Sequence, residues 1–250
     1  MDSELYAVSI ILLIIGLAGA LYIQKSFRDG PLQHERVERQ GGSILLNKAL
    51  MNFGIWWVRP ISHALNRLSL SPDHVTYLSL IFGFSSGWFI FQGSFGYAFV
   101  FALFAGIADI LDGMLAKLTG KDDLSGIVLD STADRYVDFF LLAACAIFFR
   151  HELWSLIACL LAIHGSFMIS YTTAKAEAMK ITPPRGSMKR PERYVYLLIG
   201  LILATFTQIW PHLWPLNTSP LAVMLWLIAL ASNWSALLRF RHLFLQAKKQ

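Results

Sequence analysis

The sequence predicts an all-α, polytopic membrane protein, and three observations support this fold class. Apolar residues make up 56% of the 250-residue chain, and 15% of its residues are charged, against about a quarter in soluble domains. The apolar residues fall into runs of roughly twenty, the length of a helix that crosses a bilayer. Basic residues cluster between alternate runs. This composition excludes a disordered chain, which needs the opposite balance, and argues against a water-soluble enzyme.

The first apolar run is predicted to be an N-terminal membrane anchor. It follows acidic residues and ends at Lys25 and Arg28. A secretory signal peptide has a basic start and a shorter apolar core, so we expect this run to be retained. Together with six later runs it gives seven predicted membrane helices, over residues 5–23, 73–92, 95–117, 125–149, 153–171, 194–210 and 220–238.

The segment between the first two membrane helices is polar and amphipathic. Apolar residues recur at helical spacing from Ile44 to Trp57 and again from Ile61 to Leu68, which predicts one or two helices lying at the membrane interface. The predicted organisation is an N-terminal anchor, a cytoplasmic or interfacial amphipathic segment, a six-helix membrane core and a basic cytoplasmic tail, over residues 1–28, 29–70, 71–242 and 243–250.

The basic residues predict the orientation in the membrane. With seven spans, the segments 25–67, 117–121, 175–193 and 239–249 share one side, and Arg150 falls clearly on the other. The positive-inside rule then places the N-terminus outside and the basic loops and the C-terminus in the cytoplasm. A bacterial inner membrane is favoured, with the active site on its cytoplasmic side.

Three other residues of the apolar runs are given structural roles. Cys145 and Cys159 lie inside predicted membrane helices, which argues against a disulfide framework or a zinc site and favours two small buried side chains. His164 lies in the fifth membrane helix, where a hydrogen bond to a neighbouring helix is the preferred interpretation.

Four aspartates lie where a membrane helix should be apolar. Asp109 and Asp112 are three residues apart at the end of one predicted helix, and Asp130 and Asp134 are four apart early in the next. These spacings put each pair on one helix face, and the short turn makes the two helices antiparallel neighbours. Four such carboxylates would repel one another near hydrocarbon. Hard oxygen ligands favour magnesium, with manganese as a second choice, so a divalent-cation site is predicted.

Other interpretations of the acidic residues remain open. Some of the four aspartates could cap helices or pair with Lys117 and Arg135, and helix capping is favoured for Asp122 and Asp123, which directly precede a predicted helix. An ion-coupled transporter also carries intramembrane acids, but usually at mid-membrane and on broken helices in matching repeats. The acids here lie near one interface and no repeat is visible, which favours an enzyme.

The aspartate stretch resembles the signature of the CDP-alcohol phosphatidyltransferase family, Asp-x2-Asp-Gly-x2-Ala-Arg-x8-Gly-x3-Asp-x3-Asp. Residues 109–134 match every fixed position but one, because Lys117 stands where the family has Arg. Lysine keeps a charge for a phosphate but not a bidentate geometry. The resemblance covers about residues 60–245, leaves the anchor outside the family's six-helix core, and implies a homodimer.

The resemblance implies the chemistry of phospholipid synthesis. Two metal ions held by the four aspartates would bind the pyrophosphate of CDP-diacylglycerol, and Asp134 matches the family's general base, which takes the proton of the acceptor hydroxyl. That oxygen attacks the phosphorus that bears the lipid, and CMP leaves. The segment from Ser71 to Thr76 resembles the family's nucleotide-side segment. The residues expected to contact the CDP-lipid are Pro72, Asp73, Thr76, Gly113, Lys117 and Asp123.

The basic segment from Ser170 to Arg193 resembles the bacterial phosphatidylinositol-phosphate synthases, in which one Lys and two Arg bind the acceptor's phosphate. Thr173 stands where those enzymes have the Lys. Independently, basic side chains at a helix start favour an anion. The residues expected to bind the acceptor phosphate are Arg193, Arg239, Arg190, Lys175 and Thr173.

The expected partners follow from this assignment. They are CDP-diacylglycerol, membrane lipids and a small phosphorylated alcohol, with no nucleic acid. Inositol phosphate is the preferred acceptor, and glycerol 3-phosphate or another alcohol is the alternative.

Overall fold

The computed structural model describes residues 2–30, 37, 47–120, 123–182, 188–213 and 218–248. This part of the chain contains eight α-helices, one short 3-10 helix at Pro211–Leu213 and no strand, which confirms the all-α fold. The helices are α1 (Asp2–Asp29), α2 (Lys48–Arg67), α3 (Pro72–Phe91), α4 (Phe95–Thr119), α5 (Leu124–Phe148), α6 (Leu153–Ala178), α7 (Arg190–Ile209) and α8 (Pro220–Ala247).

The protein is an integral, multi-pass membrane protein. Among the described residues, six helices are long and apolar enough to cross a membrane, namely α1, α3, α4, α6, α7 and α8. Helix α5 was also expected to cross and is 25 residues long, but Asp130, Asp134, Arg135 and Asp138 interrupt its apolar sequence. A crossing by α5 therefore stays a prediction.

Several helices continue past the ends of their apolar runs. Helix α6 extends to Ala178 rather than residue 171, and α8 extends to Ala247 rather than residue 238. The added residues include Ala, Lys, Glu, Arg and Leu, which favour helix and let it continue once the chain has left the hydrocarbon. Arg239 was expected after the last helix, and this is wrong, because it lies inside α8.

The chain divides into two compact units. The first comprises Met1–Ser86 and Phe99–Val137. Its apolar core joins α2 to α3 and α4 through the buried side chains of Val58, Val75, Ala108, Leu111 and Leu115.

Helix α2 is the amphipathic helix expected before the membrane core, and the residues Ile44 and Leu45 of that prediction lie outside the described part of the chain. Asn47 caps α2 by accepting a hydrogen bond from the Leu50 amide at 2.8 Å. Helix α2 also contacts α1, because the ring of Trp56 on α2 and the ring of Tyr22 on α1 have centroids 5.5 Å apart. The helix therefore contacts both the anchor and the core of the first unit.

The second unit comprises Gly87–Ala98 and Asp138–Gln250. In this unit α6 and α8 pack closely at Gly165. A Cβ atom added to Gly165 would lie 2.7 Å from Cβ of Ser232, so only a glycine fits there. One residue away, Nδ1 of His164 lies 2.7 Å from Oδ1 of Asn233, which confirms the expected interhelical contact.

The two cysteines behave as the sequence predicts. The thiols of Cys145 and Cys159 are free, and both side chains are 0% exposed. They fill space in the second unit rather than forming a disulfide.

Candidate active site

An acidic cluster lies in the first unit, on α4 and α5. Asp109 on α4 and Asp130 and Asp134 on α5 each offer one carboxylate oxygen, and these oxygens lie within 4.8 Å of one another. The three side chains are half-buried, and each has at least one interacting partner. The structure therefore brings together three of the four aspartates that the spacing singled out.

The fourth aspartate lies beside this cluster and is held by α3. Asp112 is 4% exposed, and its Oδ2 accepts a hydrogen bond from the Thr76 hydroxyl at 2.8 Å. The carboxylates of Asp109 and Asp130 are also near enough for electrostatic repulsion of the Asp112 carboxylate. A hydrogen-bond donor from a neighbouring helix orients a carboxylate and stabilises it in a buried site. The role of Asp112 as a metal ligand stays a prediction.

Gly120 and Asp123 mark the end of α4 and the start of α5. Gly120 follows α4 with a φ of 64°, in the left-handed region where a glycine has no Cβ penalty. Asp123 then caps α5, accepting hydrogen bonds from the Gly126 amide at 2.8 Å and the Ser125 hydroxyl at 2.9 Å. These bonds lower the pKa of Asp123 from its ordinary value. Asp123 therefore acts as a helix cap, and its contact with a CDP-lipid stays a prediction; Asp122 lies outside the described residues.

The other residues expected to contact a CDP-lipid occupy α3 and α4. Pro72 is buried at the start of α3, and Asp73 is exposed in the first turn of that helix. On α4, Gly113 is half-buried and Lys117, one turn later, is exposed. The Thr76 hydroxyl is directed at Asp112, so the structure gives this residue a supporting role for the acidic cluster.

A cluster of arginines lies in the second unit. Nη2 of Arg193 lies 3.0 Å from Oδ2 of Asp138, and Nε of Arg190 lies 3.4 Å from Oδ1 of the same carboxylate. The Arg190 guanidinium also lies 5.8 Å from the centre of the Tyr194 ring, within the range of a cation–π interaction. One carboxylate on α5 thus holds two basic side chains of the first turn of α7.

A third arginine approaches from α8. Nη1 of Arg239 donates a hydrogen bond to the Thr173 hydroxyl at 2.6 Å, and that hydroxyl lies 2.9 Å from the Ile169 carbonyl oxygen. Lys175, two residues on, is exposed. The structure therefore brings Thr173 together with Arg239 and leaves Lys175 on another face of α6.

Two donor atoms of this cluster are buried and have no partner among the described residues. Arg193 is 7% and Arg239 8% exposed, and within the described part of the chain no hydrogen-bond partner reaches Nη1 of Arg193 or Nε of Arg239. The positive charge of Arg193 repels the guanidinium of Arg239, and the negative charge of Glu192 attracts it. Buried guanidinium donors with no partner among the described residues favour an anionic ligand.

Sequence reasoning missed Asp138, the partner of two predicted phosphate-binding residues. The signal was present, because Asp138 continues the four-residue spacing of Asp130 and Asp134 along α5. A third acid at that spacing in an apolar helix calls for a partner of its own.

The donor set of the acidic cluster suits a divalent cation. Three carboxylate oxygens within 4.8 Å of one another can converge on one ion, and hard oxygen donors are those that magnesium and manganese prefer. Asp109, Asp130 and Asp134 would hold the ion, with Asp112 beside them.

The chain is similar to known proteins over most of its length. Residues 69–239 match the CDP-alcohol phosphatidyltransferase family. The phosphatidylinositol phosphate synthase of Mycolicibacterium smegmatis is 33% identical over 178 residues, which cover 70% of this chain and 78% of the relative. The synthase of Cutibacterium acnes is 30% identical over 190 residues, covering 70% of this chain and 88% of the relative.

Solved structures of a third relative have the same fold. The phosphatidylinositol phosphate synthase of Mycobacterium tuberculosis with CDP-DAG bound superposes with a TM-score of 0.65 at 30% identity, covering 74% of this chain and 92% of that one. The same enzyme in complex with manganese and citrate gives a TM-score of 0.65, covering 74% of this chain and 87% of that one.

The match to the family extends from the end of α2 through Arg239 and includes both the acidic cluster and the arginine cluster. An enzyme family whose members transfer a phosphatidyl group favours catalysis over the transporter alternative. The chain is therefore a transferase of phospholipid biosynthesis and belongs to the CDP-alcohol phosphatidyltransferase family.

Proposed function

We propose that this protein transfers the phosphatidyl group of CDP-diacylglycerol to a hydroxyl of a small phosphorylated polyol and releases CMP. The observation that carries the proposal is that the chain holds both an acidic cluster suited to a metal–pyrophosphate complex and an arginine cluster with two buried donors that no described residue satisfies. Phosphoryl transfer depends mainly on positioning and on neutralising charge, and these two clusters are suited to those tasks.

The first unit provides the CDP-diacylglycerol site. Asp109, Asp130 and Asp134, with Asp112, hold divalent ions, magnesium first and manganese second, and two ions are expected from the family. When bound, these ions neutralise the pyrophosphate and the charge that develops on the leaving CMP. A synthase with CDP-DAG bound and the same synthase with manganese, both of this fold, support this assignment.

The transfer needs one general base from the protein. Asp134 accepts the proton of the acceptor hydroxyl, and the oxygen of that hydroxyl forms a bond to the phosphorus that bears the diacylglycerol. The bond from this phosphorus to the bridging oxygen of the pyrophosphate breaks, and CMP leaves with that oxygen. Lys117 is exposed one turn beyond Gly113 on α4 and is available to a phosphate oxygen as a point charge.

The second unit provides the acceptor site. The phosphate of the acceptor accepts hydrogen bonds from Nη1 of Arg193 and Nε of Arg239, the two buried donors described above. A phosphate monoester offers several oxygen acceptors and suits the fork of an arginine. Arg190 and Lys175 add positive charge near the cytoplasmic surface. Inositol phosphate is the first candidate, because the relatives are phosphatidylinositol phosphate synthases, and glycerol 3-phosphate is the second.

The protein is proposed to work in a bacterial inner membrane, with its basic segments and both substrate sites on the cytoplasmic side and its N-terminus outside. The basic residues of the connecting segments support this orientation. A homodimer is the proposed assembly, by resemblance to the family.

The direct test combines purified protein, CDP-diacylglycerol, magnesium and a panel of acceptors: inositol phosphate, glycerol 3-phosphate, inositol and glycerol. We expect CMP release and one new lipid with inositol phosphate, and the loss of that activity on chelation of the metal. Asp109→Asn and Asp130→Asn should abolish transfer while the protein still inserts, because the remaining carboxylates cannot hold the pyrophosphate complex. Near-normal turnover of either variant with magnesium present would contradict the metal site.

A further inference from the structure

Asp138 is an acidic residue that the proposed chemistry does not use, although it lies among the residues of the acceptor site. Its carboxylate accepts from Nη2 of Arg193 at 3.0 Å and from Nε of Arg190 at 3.4 Å. The pair has little contact with water, since the side chains of Asp138 and Arg193 are 14% and 8% exposed.

The surroundings of this ion pair are largely apolar. Asp138 and Arg193 line a small cleft whose other walls are Ser166, Tyr194 and four aliphatic side chains. The four aliphatic residues are Leu141, Leu142, Leu197 and Ile228. In such a medium an arginine without a counter-ion is strongly destabilised and would turn towards water, whereas a paired arginine stays in place.

Arg193 uses only one side of its guanidinium fork for this contact. Nη2 is bound to Asp138, while Nη1 is buried and has no partner among the described residues. A guanidinium can bind a carboxylate through one of its nitrogens and a phosphate oxygen through another at the same time. Asp138 therefore need not be displaced when an anion binds to Nη1.

We propose that Asp138 is a positioning residue of the acceptor site: it holds Arg193 in the orientation that directs the unpartnered Nη1 to the acceptor's phosphate. Asp138 itself touches no substrate in this scheme and acts through Arg193. The inference rests on the proposed function, because it takes the anion to be the phosphate of the acceptor.

The test measures steady-state kinetics of the purified full-length protein with inositol phosphate and CDP-diacylglycerol. Asp138→Asn should raise the KM for inositol phosphate at least tenfold, while kcat and the KM for CDP-diacylglycerol change less than threefold. A structural fault would instead lower kcat or affect both substrates. Glu152→Gln is the matched control, since Glu152 is an exposed acid of the same unit and its change should leave all three constants as they were.

A double-variant cycle separates positioning from a direct contact. If Asp138 acts through Arg193, then Arg193→Ala combined with Asp138→Asn should have the acceptor KM of Arg193→Ala alone, within threefold. The double variant removes both charges of the buried Asp138–Arg193 pair, so it can be compared with Arg193→Ala even if Asp138→Asn alone fails to insert.

The possible outcomes are distinguishable. Additive effects in the cycle, an acceptor KM that Asp138→Asn leaves unchanged, or one that it lowers because Asp138 competes with the phosphate, would each overturn the positioning role and leave the proposed function intact. If the parent enzyme uses no phosphorylated acceptor at all, the proposed function fails, and this inference fails with it.

Discussion

Asp134 and Asp138 lie one helical turn apart on α5 and belong to different clusters of side chains. Asp134 shares a cluster with two other carboxylates, whereas Asp138 binds two arginines. A carboxylate among acids can share a cation, whereas a carboxylate between guanidinium groups acts as their counter-ion. At the scale of single residues, the partner rather than the residue type determines the role.

Asp134 is expected to be needed more for chemistry than for binding. Asp134→Asn removes the base but keeps an oxygen of similar shape, so turnover should fall about 10²–10⁴-fold, while the affinity for CDP-diacylglycerol falls less than tenfold. Single-turnover CMP release and equilibrium binding of the nucleotide measure the two effects. If turnover and nucleotide binding fall in equal proportion, Asp134 is a ligand and not a base.

Thr173 stands where the resemblance to the synthases implies a Lys, and its hydroxyl accepts from Arg239 at 2.6 Å. Thr173→Lys adds a positive charge to the acceptor site, so the KM for inositol phosphate should stay the same or fall. Thr173→Val is the matched control, because it removes the hydroxyl without adding a charge.

The acceptor assignment depends on the outcome with Thr173→Lys. Loss of activity in this variant, together with use of glycerol 3-phosphate or an unphosphorylated alcohol by the parent, would contradict inositol phosphate as the acceptor.

At the scale of helices, the local sequence pattern predicted which helices form but not which side chains contact one another between helices. The apolar runs and the aspartate spacing predicted α4 and α5 and the convergence of Asp109 with Asp130 and Asp134, because helical periodicity is a local property. The hydrogen bond from Thr76 to Asp112 joins residues 36 positions apart, and no local rule supplies such a pair. Helix ends were also missed, since a helix can continue in water after its apolar run has ended.

The support that α3 gives to α4 is testable. Thr76→Val keeps the shape of the side chain but removes the donor to Asp112, so the apparent metal affinity should fall about 10–100-fold, as for other residues that orient metal ligands. Metal titration of activity measures this effect. Thr207→Val is the control, because Thr207 bonds to the Ala204 carbonyl within α7; equal metal dependence in both variants would contradict the role of Thr76.

The close packing of α6 on α8 gives a second prediction at this scale. Gly165→Val should lower stability by about 1–3 kcal/mol, the usual cost of overpacking, because even a Cβ there would lie 2.7 Å from Ser232. Thermal unfolding in detergent measures the change. Gly19→Val in α1 is the control, since a Cβ at Gly19 meets nothing within 4 Å, and an equal loss in both variants would show that the packing is not responsible.

At the scale of the whole molecule, the acidic cluster and the arginine cluster lie in different compact units. The acidic cluster belongs entirely to the first unit and the arginine cluster entirely to the second. The three aspartates of the acidic cluster and the neighbouring Asp112 all lie within the family signature at residues 109–134, which is why the sequence could identify them together. The arginine cluster gathers residues from α5, α6, α7 and α8, and its composition, above all Asp138, depended on the folded chain.

The orientation of the whole chain in the membrane is also testable. The basic segments predict that the connection between α5 and α6, at residues 149–152, faces outward and that the C-terminus faces the cytoplasm. Alkaline phosphatase inserted at residue 151 should be active in cells and inactive when fused after residue 250, and green fluorescent protein should show the reverse pattern. Reporters with the opposite pattern would invert the proposed topology.

The burial of both cysteines has a practical consequence. Cys145 and Cys159 are the only thiols of the chain, and their side chains are 0% exposed, so maleimide reagents should leave the folded protein unmodified. A single cysteine introduced on a surface could then carry a spin label or a fluorophore in the otherwise natural sequence. Distances between two such labels would report movements of the helices during turnover, without the usual prior removal of the natural thiols.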